Sequence, residues 1–146
     1  MLISVITLAL TGAFLAADGG NTASGSDNDR FYRHTGTVVY SDGSDTGKSL
    51  LFMSYIDFEK FKKDYAEYPY YLIITKTGAY EFKVSRLHGN ESYTESGTVT
   101  TNGTGEKVFS PASPDKDVSA VFDGEFVVVT LKLEEGRVEY KFSPLP

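Results

Sequence analysis

The sequence predicts a mainly β domain: an antiparallel meander of about eight strands that closes into a small barrel or sandwich, with one short helix. Three observations carry this reading. The first is a recurring string of a polar residue, a glycine, one further residue and an apolar one. It occurs as Thr35-Gly36-Thr37-Val38, Thr77-Gly78-Ala79-Tyr80, Ser96-Gly97-Thr98-Val99, Asp123-Gly124-Glu125-Phe126 and Glu135-Gly136-Arg137-Val138. Glycine accepts the positive φ of tight hairpin turns, and alternate residues after it line one sheet face. The second is a two-residue rhythm: Tyr80, Phe82 and Val84 alternate with Glu81, Lys83 and Ser85, and Val138, Tyr140 and Phe142 with Arg137, Glu139 and Lys141. Such strands have one dry and one wet face. The third is irregular spacing: the glycines lie 42, 19, 27 and 12 residues apart. A solenoid or propeller would keep a fixed interval.

The chain has 146 residues, enough for one domain of ordinary size. Residues 1–17 are an apolar run with small residues at its end, matching the h-region and cleavage site of a secretory signal peptide. The start lacks the usual Lys or Arg, and Leu15 stands where a small residue is usual. A retained membrane anchor or a buried first element of the domain are the alternatives for this segment. Residues 18–30 contain one alanine and no larger apolar side chain, and are read as a flexible linker. The barrel domain then occupies residues 31–146.

Within it the expected strands cover residues 36–41, 49–55, 70–75, 79–87, 92–100, 107–110, 118–122, 125–133 and 137–142. The run Phe126-Val127-Val128-Val129 is apolar at consecutive positions, which predicts a strand covered on both faces. Ser113-Pro114-Asp115-Lys116 and Asn102-Gly103 are turn chemistry. Phe58, Phe61 and Tyr65 recur at spacings of three and four, after Asp57 as an N-cap and before Pro69 as a stop. They predict one amphipathic helix plugging or flanking the sheet.

The second half resembles the lipocalin-like (calycin-type) meander domains of small exported bacterial proteins. The similarity rests on Thr75-Lys-Thr-Gly-Ala-Tyr-Glu-Phe-Lys-Val, Glu95-Ser-Gly-Thr-Val-Thr-Thr-Asn-Gly and Val121-Phe-Asp-Gly-Glu-Phe-Val-Val-Val-Thr-Leu. Lipocalins usually carry Gly-x-Trp near their first strand; this chain has no tryptophan, and Gly36-Thr37-Val38 stands at the analogous place. The resemblance implies a closed or nearly closed barrel, sometimes holding one small apolar ligand.

Several chemistries are excluded. With no cysteine, the chain has no disulfide, thiolate metal site, cysteine nucleophile or lipoprotein anchor. A net charge of −6 opposes phosphate backbones, so no nucleic-acid partner is expected. The loop Gly43-Ser-Asp-Thr-Gly47-Lys48-Ser49 lacks the spacing of a phosphate-binding loop, and Asp42 and Asp45 would repel phosphate. His34 and His88 have no metal-ligand spacing, Asp27-Asn28-Asp29 and Asp42-Gly43-Ser44-Asp45 do not continue as calcium loops, and no Gly-x-Ser-x-Gly elbow occurs. No metal and no cofactor are expected. Asn90-Glu91-Ser92 and Asn102-Gly103-Thr104 satisfy the N-glycosylation triplet.

The functional expectation is an exported (periplasmic, cell-surface or secreted) non-enzymatic barrel. It binds a small apolar ligand, or a partner in the envelope or outside the cell. Inward Tyr80, Phe82, Tyr140 and Phe142 would fill or line the interior, and Tyr65, Tyr68, Tyr70 and Tyr71 would offer an amphipathic partner surface. Membrane contact would come only through the N-terminal segment, if uncleaved. The rivals are an integral outer-membrane barrel, opposed by the charged outward positions Glu81, Lys83, Arg137, Glu139 and Lys141, and a hydrolase on a β scaffold.

Overall fold

The computed structural model describes residues 29–50, 57–85 and 91–146. The predicted leader, residues 18–28 of the linker, most of the predicted 49–55 strand, His88 and Asn90 lie outside the described residues. Among the described residues the chain forms nine strands and one α-helix: β1 (Arg30–Ser41), β2 (Gly47–Leu50), α1 (Phe58–Asp64), β3 (Tyr71–Ile74), β4 (Ala79–Ser85), β5 (Ser92–Thr101), β6 (Lys107–Pro111), β7 (Val118–Asp123), β8 (Phe126–Leu133) and β9 (Gly136–Pro144). The fold is mostly β, with eight antiparallel strands nearly closed into a barrel and one unsealed seam.

Strand order explains the shape. Hydrogen-bonded neighbours run β6-β5-β4-β3-β1-β9-β8-β7, with β2 paired to β1 off this path. The long-range step is β1 against β9, from Tyr32↔Pro144 to Ser41↔Gly136. On its other edge β1 is shared: Arg30 to Tyr32 pair with β3 and Thr37 to Tyr40 with β2. The register against β9 shifts between His34 and Gly36. That bulge carries one extra residue, which lets both His34 and Thr37 face the barrel interior. β1 also begins six residues before the predicted start, so Arg30 belongs to the sheet and not to the linker. Asp29 is anchored as well, its Oδ1 accepting from the Lys76 amide at 2.9 Å.

The interior is filled with side chains. Tyr32, Leu72, Tyr80, Phe82, Val84, Val127, Val129, Leu131, Val138, Tyr140 and Phe142 make one continuous buried cluster. The period-two rhythm of β4 and β9 appears as predicted, inward residues buried and outward ones partly or fully wet. The apolar run of β8 behaves differently from expectation. It alternates too: Val127, Val129 and Leu131 are buried, Val128 is half-buried and Phe126 is exposed. Val128 packs outward beside Val121 of β7 and Lys141 of β9, with no further layer above it among the described residues.

The strand covered on both faces is β3. Tyr71, Leu72 and Ile73 are all buried, because Leu72 faces the barrel while Tyr71 and Ile73 face a second cluster with Phe31, Phe61 and Tyr65. α1 supplies that outer layer, so it flanks the sheet and does not plug it. Asp57 caps it as predicted, its Oδ1 accepting from the Glu59 and Lys60 amides at 3.1 and 3.2 Å. A 3-10 turn, Tyr65–Glu67, follows directly and brings Tyr65 under the helix. Edge-to-face contacts of Phe31 with Tyr65 (5.7 Å) and Tyr65 with Tyr71 (5.1 Å) fill this layer.

Gly136 is where a side chain is least tolerable: its φ is +131°, and an added Cβ would run into the carbonyl oxygen of Tyr40 on β1. Gly103, in the β5–β6 turn, has open space around the same position. Gly136→Ala should therefore lower stability by about 1–3 kcal/mol, and Gly103→Ala by much less. Chemical denaturation of the two variants checks the contrast.

Candidate functional site

Along the eight-strand path every neighbouring pair shares a ladder, and only the two end strands lack a second partner. Here the ends are β6 and β7, adjacent in sequence and joined by residues 112–117, yet sharing no ladder. Each is committed elsewhere. β6 pairs with β5 from Thr101↔Lys107 to Gly97↔Pro111, across a turn in which Asn102 Oδ1 accepts from the Thr104 and Glu106 amides. β7 pairs with β8, and Lys132 N donating to Asp117 O at 2.7 Å extends that pairing by one step. Between them, Pro111 has no N–H to offer and Pro114 interrupts the loop. Unpaired strand edges on both sides form the seam.

Side chains close the middle of the seam in place of backbone bonds. Phe109 of β6 stacks on Phe122 of β7 with ring centroids 4.6 Å apart, and Tyr80 meets Phe109 edge-on at 4.9 Å. Two clefts lie near this stack, one at the seam and one between β5 and the β6–β7 loop. The first, of about 680 Å³, reaches in to Tyr32, with Val108, Phe109, Ala120, Val121 and Phe122 along its walls. Its rim carries Arg30, Lys107, Glu106 and Glu125. The second, of about 570 Å³, lies between residues 93–96 of β5 and residues 112–116 of the loop, and is mainly polar. Val108 and Val121, in the walls of the first cleft, are exposed, as is Phe126 beyond it, and Lys141 Nζ sits 4.1 Å over the Phe126 ring.

The predicted site residues fall into two groups. Tyr80, Phe82, Tyr140 and Phe142 do come together, but as fully buried packing, and none of them lines either cleft. Their polar tips are occupied: Tyr80 Oη donates to Glu95 Oε1 at 2.7 Å and Tyr140 Oη to Ser85 O at 2.9 Å. The four clustered tyrosines do not make one open surface. Tyr65 and Tyr71 are buried beneath α1, Tyr68 packs on that layer, and only Tyr68 and Tyr70 keep partial exposure. The physical reason is the sharp helix-to-strand corner, which turns Tyr71 under the helix and Tyr70 toward the barrel. Tyr70 stacks on His34 at 4.2 Å, and His34 Nε2 lies 2.8 Å from Thr37 Oγ1.

Sequence reasoning missed Tyr32, Phe109 and Phe122 at the seam, and Glu95 beside the second cleft. A signal for Glu95 was present: it stands in phase with Tyr93, Gly97 and Val99, which puts it on the inward face of β5. Comparison with family models, with curated proteins and with solved structures gives no match.

Buried titratable groups set a pH window. The Tyr71 and Tyr80 phenols are pushed well above their ordinary value near 10, first by burial and then by hydrogen bonds to the carboxylates of Glu81 and Glu95. The folded state holds these protons more tightly than the unfolded chain, so their stabilisation is complete below pH 10 and is lost as pH rises above it. His34 is lowered from 6.5 by burial, partly opposed by a backbone hydrogen bond at Gly36. Its neutral form is the favoured one, so that contribution is present above pH 6.5 and lost as pH falls below it. Stability measured by urea unfolding should thus decline on both sides of this window. The alkaline decline should shrink in Tyr80→Phe, and the acid decline in His34→Gln.

Proposed function

We propose that this chain is an exported, non-enzymatic, lipocalin-like barrel that binds one small apolar ligand in the seam between β6 and β7. The observation that carries the reading is the 680 Å³ cleft, in which Tyr32, Phe109 and Phe122 offer apolar walls and charged groups are confined to the rim. Its volume falls in the range of small-molecule pockets, commonly about 300–1,000 Å³. Tyr80, Phe82, Tyr140 and Phe142 already fill the centre, which favours the seam as the place for a ligand. An apolar body would lie along the aromatic walls, with a polar end between Arg30 and Lys107. The up-and-down neighbour order, closed by the first and last strands, supports the lipocalin-like reading. Export is supported by the uncharged apolar run of residues 1–17 followed by a polar stretch.

Binding of the neutral reporter N-phenyl-1-naphthylamine tests the proposal. The chain should raise its fluorescence, and decanol should reverse the rise. Ala120 stands on the cleft wall, so Ala120→Phe should abolish the signal while the far-ultraviolet circular dichroism stays unchanged. An undiminished signal in folded Ala120→Phe would sink the reading, as would a lack of any signal in the parent chain. N-terminal sequencing of the mature protein, recovered after fractionation, should find a start after Ala17.

A further inference from the structure

The second cleft has a different chemistry. β5 outruns β6: the last contact between them is Ala112 N donating to Ser96 O at 2.9 Å, and the residues before Ser96 pair only with β4. The loop after β6 stands off from this free edge and leaves the 570 Å³ cleft. Glu95 stands in its wall at 7 % exposure, the only buried charged side chain among the described residues. Its Oε1 accepts from Tyr80 Oη at 2.7 Å, and its Oε2 from Tyr93 Oη at 3.3 Å. Both donors are neutral phenols. Among the described residues no lysine, arginine or histidine pairs with Glu95.

We propose that this cleft binds a small organic cation, a primary ammonium on a short stem, with Glu95 as its anionic anchor. A carboxylate withdrawn from water gains more from a full positive charge than from neutral donors. The long bond from Tyr93 leaves Oε2 with acceptor capacity to spare. An ammonium needs one anion and a few neutral oxygens, and Ser113 and the free backbone edge of β5 at Thr94 line the same cleft. A metal ion would ask for more carboxylate: the other one here, Asp115, already accepts from the Asp117 amide at 2.9 Å. The acidic chain as a whole draws cations toward it. Lys116 also lines the cleft, so its own ammonium is a built-in competitor. This site stands apart from the apolar cleft at the seam and does not depend on it.

Titration calorimetry of the full chain with benzylammonium chloride, against benzyl alcohol as the neutral counterpart, tests the inference. The ammonium should bind about tenfold or more tightly than the alcohol, the margin of a charge-assisted hydrogen bond. Glu95→Gln keeps the shape and an acceptor for Tyr80, and should remove that margin. Lys116→Met, on the exposed loop, should tighten benzylammonium binding without touching the core. Equal affinity for ammonium and alcohol overturns the proposal, as does an unchanged margin in folded Glu95→Gln. Should that variant fail to fold, a Lys116→Met affinity equal to that of the parent overturns it instead. Calcium binding in place of benzylammonium also counts against it. Benzylammonium should leave bound N-phenyl-1-naphthylamine in place, so failure at one cleft is distinguishable from failure at the other.

Discussion

The ladder between β1 and β9 is the constraint on which the rest of the structure depends. Every other pairing in the eight-strand path joins sequence neighbours or bridges only the insertion that holds β2 and α1. Those contacts could form in an open, curling sheet. Pairing of Tyr32 with Pro144 and of Ser41 with Gly136 instead bends the two halves of the chain round to face each other. Only then do the inward faces of β4 and β9 meet, with Tyr140 reaching Ser85 across the interior. The bulge near His34 and the close passage of Gly136 past Tyr40 are the local adjustments that this long-range ladder requires.

Closure on that side leaves its remainder on the other. β6 and β7 meet through a stack of rings and not through amides, the first cleft is walled by those rings, and the second lies between β5 and the loop that joins the two strands. Backbone pairing has strict geometry, whereas ring stacking tolerates a range of offsets. The two candidate binding sites are these clefts. The central packing, which a barrel of this strand number can fill with side chains alone, reaches them only through Tyr32 in the first cleft and the Tyr80 bond to Glu95 beside the second.

How much of this was legible in the sequence follows from which interactions are local. The α1 helix was readable from Asp57 and the spacing of Phe58, Phe61 and Tyr65, since capping and amphipathicity act within a few residues. The strands β4 and β9 were readable from strict alternation. The covering of β3 was not, because a four-residue strand is too short to separate a two-faced pattern from an apolar run. β8 was misjudged for the opposite reason: Val128 and Phe126 are apolar, yet half-exposed on the outer surface. The fate of the tyrosines depended on a corner whose direction composition does not encode. The seam itself lay beyond reach, since two adjacent strands with ordinary patterns carry no mark that they fail to pair. Glu95 was the exception, a charge in a dry phase of its strand and so a visible conflict between pattern and chemistry.

The shared ladder of β1 and β9 also makes this domain a ring with a movable cut. Asp29 and Leu145 lie at the same end of the barrel, where Leu145 N donates to Phe31 O at 2.8 Å. The connection across the seam, by contrast, carries no strand pairing. A circularly permuted chain, spliced from the end of β9 to the start of β1 and opened within residues 112–117, would keep every ladder described. Its two new ends would then be the strands that border the clefts, free to carry fused segments directly to the mouth of either one.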